Sequence, residues 1–167
     1  MIRMGFKETY EAIKKDPKNG EKNFNVIIES QEDGSFKATM GAKPFEIIID
    51  APENLGGKNL GPSPLFIILT AVGGCTAAVI KFWSMIMDVK IDHIKIFSRG
   101  HINLGGIFGT DDSLKPYYDN LRPVIQIKSS EPKEKIDELM KNVWEHTPII
   151  GNFINKSDLV WKYTVKP

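Results

Sequence analysis

Between Lys58 and Lys81 the chain carries no charged residue. From Leu65 to Met87, within GPSPLFIILTAVGGCTAAVIKFWSMIM, it is apolar in every direction, and a helix of that kind needs cover on all sides or a lipid surround. Pro62 and Pro64 suit a first helical turn, where a missing N–H costs nothing. The run is just long enough to span a bilayer, which takes about 20 residues. Two prolines, the Gly73-Gly74 pair, Lys81 at a late turn and the lack of aromatic belts at both ends argue against a span. The expectation is a buried central helix and no membrane.

The rest of the chain supplies material to cover such a helix. Its 167 residues, 41% of them hydrophobic, suit one domain over residues 1–167, with residues 1–20 as an N-terminal helical extension. Phe6, Tyr10 and Ile13 recur at helical spacing over Gly5 to Lys15. Three alternating runs follow: Phe24, Val26 and Ile28; Phe36, Ala38 and Met40; Phe45, Ile47 and Ile49. Asp33-Gly34 marks the first hairpin, so these runs predict an antiparallel meander with one face buried.

Beyond the central helix, Ile94, Ile96 and Ile102 mark the inner face of a strand from about Lys90 to Asn103. His93, Lys95, Phe97, Arg99 and His101 share its outer face. Gly105 to Pro123 reads as a long loop, and Ile125 and Ile127 as another strand. A helix capped by Ser130 would carry the stripe Ile136, Leu139, Met140, Val143 and Trp144. Leu159, Trp161, Tyr163 and Val165 predict a last strand. The sum is an α+β fold whose single sheet cannot wrap the central helix alone. A bare apolar face of several hundred Å² is unusual on a monomer, so a homodimer with two packed central helices is expected. Gly73 and Gly74, each costing about 1 kcal/mol in a helix, fit such close packing or else a kink.

Charge and cysteine usage narrow the function classes. The formal net charge is +1, and arginine occurs only at Arg3, Arg99 and Arg122, so nothing favours nucleic acid or an anionic membrane as partner. The lone Cys75 excludes an intramolecular disulfide, and the N-terminus lacks a secretory pattern, which makes a reducing cytoplasm the expected location. His93 and His101 lie eight residues apart, about 26 Å along an extended strand, and cannot share an ion. No metal site or cofactor is expected. Gly56-Gly57-Lys58 lacks phosphate-loop spacing and reads as a turn feeding the helix. Asp111-Asp112 reads as solvated loop acids. Phe108, Tyr117 and Tyr118 either line a pocket mouth or pack their loop down.

The stretch DAPENLGGKNLGPSPLFIILTAVGGCTAAVI resembles the signature of the OsmC/Ohr family of thiol-dependent peroxidases, in which a GP-x-P-L run leads into a helix holding Gly-Gly-Cys and Thr-Ala. The resemblance implies antiparallel sheets wrapped around long central helices in an intertwined homodimer, with sites at the subunit seam. It makes Cys75 the candidate peroxidatic cysteine of a redox stress-response protein. A thiolate there would attack a hydroperoxide, and the sulfenic acid formed needs another thiol to reduce it.

The family's second cysteine falls at Thr147, which cannot form a disulfide. Its acidic helper falls at Leu65 or Phe66, and its activating arginine has no counterpart beyond Lys37 or Lys43. His146, next to the resolving position, is the remaining candidate helper. The resemblance therefore implies a one-cysteine hydroperoxide reductase served by an external thiol reductant. The alternative is a non-catalytic relative that binds a small hydrophobic ligand at the dimer interface.

Overall fold

A computed structural model describes residues 2–41, 45–155, 159–160 and 162–165 of the chain. They divide into two compact units, Met1–Ser63 and Pro64–Pro167.

The first unit opens with α1 (Ile2–Lys15), which carries the stacked rings of Phe6 and Tyr10, 6.4 Å apart. Asp16 ends it by accepting the Lys18 N–H at 3.1 Å, and the turn Pro17–Gly20 folds Gly20 against Ile13. The expected meander follows as β1 (Val26–Ser30), β2 (Phe36–Met40) and β3 (Phe45–Ile49), antiparallel in that order. Asp33 Oδ1 accepts from the Ser35 N–H and hydroxyl, and Gly34, at φ +90°, makes the turn that a side chain would resist.

The register sets Val26, Met40 and Phe45 in one row, Ile28, Ala38 and Ile47 in the next, as the alternation requires. Burial of that face is where the expectation fails. Ala38 is enclosed, but Phe24, Val26, Ile28 and Phe45 are all more than half exposed. Alternation reports sidedness; cover has to come from elsewhere.

At the end of β3 the buried Asp50 organises everything up to residue 62. Its carboxylate accepts the N–H groups of Ala51 (2.8 Å), Lys58 (2.9 Å) and Leu60 (3.0 Å). A Cβ on Gly57 would stand 1.9 Å from the Ala51 carbonyl oxygen, and one on Gly61 2.1 Å from that of Ile48. Only glycine lets the loop lie this close to β3.

The second unit is built on α2 (Pro64–Ile86), which begins with Pro64 at its first position. Pro62 lies outside it, its carbonyl accepting from the Asp50 N–H. β4 (His93–His101) and β5 (Asn120–Lys128) form a two-stranded antiparallel ladder. The presumed loop between them contains a short helix, α3 (Leu104–Phe108), capped by Asn103 and closed by Gly109 at φ +63°.

α4 (Lys133–His146) and α5 (Pro148–Ile154) complete the unit, and α2 packs on β4, α4 and α5. Val79, Ile80, Val89, Leu139 and Val143 are its buried centre, ringed by Trp83, Ile94, Ile96, Ile125, Ile127 and Ile136. Burying side chains of this size contributes roughly 1.5–3 kcal/mol each.

Three sequence expectations are corrected here. Ser130 does not cap α4: the helix begins after Pro132, while Ser129 and Glu131 bind back to the Lys90 carbonyl and N–H. Trp144 is not in the buried stripe but 61% exposed, since it lies about 100° around the helix from Val143. Among the described residues no last strand is formed: Leu159, Tyr163 and Val165 have no regular structure and are over 80% exposed, and Trp161 lies outside the described residues.

The central helix is also less enclosed than expected. Val72, Thr76, Val79, Ile80 and Ser84 are its buried residues, on the side facing β4 and α4. By length and a mean hydropathy of 2.0, α2 could cross a membrane.

Candidate functional site: Cys75 on the open face of the central helix

Two faces of α2 matter, and the helical repeat of about 100° per residue separates them. Phe66, Leu69, Thr70, Gly73, Gly74 and Ala77 meet Ile94, Ile96 and Ser98 of β4 along a groove of ≈ 460 Å³. A Cβ on Gly73 would come within 2.7 Å of Ser98 Oγ, so helix and strand touch there without an intervening side chain. Gly73 therefore makes room for β4 of the same chain. Gly74 has nothing within 4 Å of where its Cβ would be, and is exposed.

Cys75 lies about 160° around the helix from Gly73, away from the groove. It shares its face with Ile68, Ala71, Ala78 and Phe82, of which Ile68 and Phe82 are 38% and 46% exposed. The thiol is half-buried and free. Among the described residues no hydrogen bond reaches its sulfur. The arrangement is a half-buried thiol on an apolar surface.

The other candidate residues sit on the helices packed beside α2. Thr147 is buried at the junction of α4 and α5, where its hydroxyl donates to the Val143 carbonyl at 2.5 Å. His146 Nδ1–H donates to the Asn142 carbonyl at 2.8 Å, and the ring lies 4.7 Å from that of Trp83. Trp83 is eight residues beyond Cys75, about 12 Å along the axis. His146 thus packs on Trp83. Lys37 pairs with Glu46 at 3.4 Å within the meander, and Lys43 lies outside the described residues.

Tyr118 packs over Gly100, where a Cβ would strike its ring at 2.5 Å, and its hydroxyl donates to the Leu65 carbonyl at 3.0 Å. Burial pushes its phenol upward from the ordinary value. This tyrosine fastens its loop to the first turn of α2, while Phe108 and Tyr117 stay exposed. Sequence reasoning missed the groove. Its signal was the spacing of Phe66, Leu69, Gly73 and Ala77 against the alternate residues Ile94, Ile96 and Ser98. Among the described residues no three His, Cys, Asp or Glu side chains converge on a metal position.

A long central helix bearing one thiol, backed by an antiparallel ladder and two helices and preceded in the chain by a three-stranded meander, defines the α+β class of fold. The profile of the OsmC-like protein family matches residues 56–162, and the chain belongs to that family. Its fold is similar to an OsmC-like protein from Mycoplasma pneumoniae, with TM-score 0.69 and 17% identity over 81% of this chain and 90% of that one. It is also similar to an organic hydroperoxide resistance protein OsmC from Legionella pneumophila (TM-score 0.53, 14% identity, 81% and 90% covered). A third likeness is to an organic hydroperoxide resistance protein from Elizabethkingia anophelis (TM-score 0.59, 10% identity, 81% and 92% covered). No curated protein matches the sequence.

Proposed function

We propose that this OsmC-like protein is a cytoplasmic one-cysteine hydroperoxide reductase, working as a homodimer with Cys75 as its nucleophile. The observation that carries the reading is Cys75 itself, the chain's only thiol, half-buried yet free on an apolar face of α2. A second subunit laid on that face would enclose Ile68, Ala71, Cys75 and Phe82 in an apolar seam, which suits an organic hydroperoxide.

The thiolate attacks the outer peroxide oxygen, the O–O bond breaks, and the alkoxide leaves with a proton as the alcohol. Sulfur is oxidised to the sulfenic acid. An external thiol condenses with it, releasing water and forming a mixed disulfide, and a second external thiol attacks that disulfide, freeing the Cys75 thiol and carrying off the reductant as its own disulfide. No cysteine of this chain can take the resolving part.

A second reading has its own support. The sulfur has no hydrogen-bond donor among the described residues, and Thr147 is committed to Val143, which suits a non-catalytic protein holding a small hydrophobic ligand at the same seam. The separating experiment treats the purified protein with stoichiometric cumene hydroperoxide and a sulfenic-acid trap, followed by intact mass. Rapid trapping that disappears in Cys75→Ser supports the reductase. An unmodified protein that co-purifies with a lipid-like mass supports the binder and overturns the reductase.

A further inference from the structure

The outer face of the β4–β5 ladder has no part in the reading above, and its charges are arranged against the ladder's own stability. Arg99 and Arg122 are direct register partners, with Phe97 and Val124 the next pair along the same face and His101 and Asn120 the pair beyond. Like charges directly opposite one another weaken an antiparallel pair. Neither guanidinium has a carboxylate within 4.0 Å among the described residues. Asp119, just before β5, is held by His101 Nδ1 at 2.9 Å. Lys95 adds a third cation, its Nζ 4.8 Å from the centroid of the Phe97 ring. The whole chain has a formal net charge of only +1, so this concentration is local.

Beside the two arginines the same face turns apolar. Phe97 is 37% and Val124 47% exposed, one register step from the guanidinium pair. We infer that this surface binds a phosphomonoester with an apolar body, its phosphate bridging Arg99 and Arg122 and its organic part lying on Phe97 and Val124. The arginine pair suits the group. Two unpaired guanidinia are neutralised by one phosphomonoester, which carries close to two negative charges at neutral pH, and each guanidinium fork can take two of its oxygens. Cross-strand partners stand about 5 Å apart at Cβ, a span over which two arginines converge on a single phosphate. The exposed aromatic step explains why an ester fits better than the free ion. The site lies on a different element from Cys75 and stands whether or not the thiol is catalytic.

The test uses the full-length protein, phenyl phosphate as probe, and chloride at matched ionic strength as reference, read by thermal shift and by arginine Nε signals in NMR. Phenyl phosphate is expected to bind at least tenfold more tightly than inorganic phosphate. Arg99→Gln and Arg122→Gln are each expected to weaken it at least tenfold, the loss associated with one charge-assisted hydrogen bond. Phe97→Ser should bring phenyl phosphate down to the level of inorganic phosphate. Because each glutamine removes a like-charge pair, both variants should unfold at higher urea than the parent in chloride alone, which guards against loss of fold. Equal responses to phosphate and chloride, equal binding of phenyl and inorganic phosphate, or undiminished binding in the glutamine variants would overturn the assignment.

Discussion

Gly73 lies against Ser98 so closely that a single methyl group on the helix would meet the serine oxygen at 2.7 Å, whereas its neighbour Gly74 faces empty space. The two glycines are adjacent in sequence and opposite in consequence. Replacing a helical glycine by alanine is worth roughly 0.5–1 kcal/mol where the new Cβ is unobstructed. Gly74→Ala should show that gain in urea unfolding. Gly73→Ala should not, because the Ser98 hydroxyl must first swing away, and the gain should return in the double variant Gly73→Ala/Ser98→Ala. A gain for Gly73→Ala alone would mean that α2 and β4 are not in contact there.

The same pair tests the proposed dimer. A bulky side chain at Gly74 has room within one subunit but would project from the uncovered part of α2. Gly74→Leu is therefore expected to leave the circular dichroism unchanged while moving sedimentation from dimer to monomer. If the parent protein itself sediments as a detergent-free monomer, the proposed seam does not exist.

In α4 the buried stripe and its exposed neighbour separate cleanly. Leu139 is fully enclosed against α2, and truncating it to alanine should cost about 2–5 kcal/mol, the range for deleting a buried leucine side chain. Trp144→Ala should change the urea midpoint little despite removing a larger side chain. A large loss at Trp144 in the isolated subunit would contradict its exposure; a loss that appears only at dimer-forming concentrations would place it in an interface.

How much of this was readable beforehand depends on whether the cause was local. Alternation at Val26, Ile28, Ala38 and Met40 and the Asp33-Gly34 turn specified the meander and its register, because strand period and turn chemistry act over a few residues. Helical spacing found α4, but could not decide which side of Val143 would be covered, so Trp144 was misassigned. Ser130 looked like a cap, yet Pro132 delays the helix, and Ser129 and Glu131 are drawn to residue 90, some forty positions away. Cys75 was legible as the only thiol in a recognisable motif. The groove beside Gly73 was not, since it exists only once β4 is laid on α2. The row of cations on β4 was legible, but the facing arginines emerged only from the register.

Asp50 should make the first unit acid-sensitive. Its carboxyl is held below the ordinary value of 3.8, foremost by the Leu60 N–H and also by those of Lys58 and Ala51, which outweigh the opposing effect of burial. A depressed folded value means that the contribution is complete above the unfolded value and is lost as pH falls below it, through the folded one. Asp33 and Asp111 titrate low as well, each held first by the Ser hydroxyl two residues on, so the comparison has to be differential. Asp50→Asn, with fewer acceptor lone pairs for three N–H groups, should be less stable than the parent at neutral pH. The gap should close as pH is lowered through the carboxylate range. A constant gap across that range would show that the charge on Asp50 does not hold the loop.

The last prediction concerns the resolving position. Thr147 stands at the position before α5, which packs on α2, and its hydroxyl donates to the Val143 carbonyl of α4 rather than capping α5. A sulfhydryl is close to it in size, so Thr147→Cys should fold, at the cost of a weaker hydrogen bond. If the reductase reading holds and position 147 occupies the resolving place of the family, oxidation of Cys75 by cumene hydroperoxide should now end differently. The introduced thiol displaces water from the sulfenic acid, giving an internal disulfide, and trapping of the sulfenic acid falls. Non-reducing electrophoresis and intact mass would detect a species two hydrogens lighter than the dithiol form, absent when Cys75→Ser is added. Persistence of the trapped sulfenic acid at the parental level, with no internal disulfide, would show that Cys75 and position 147 do not meet, leaving reduction wholly to an external thiol.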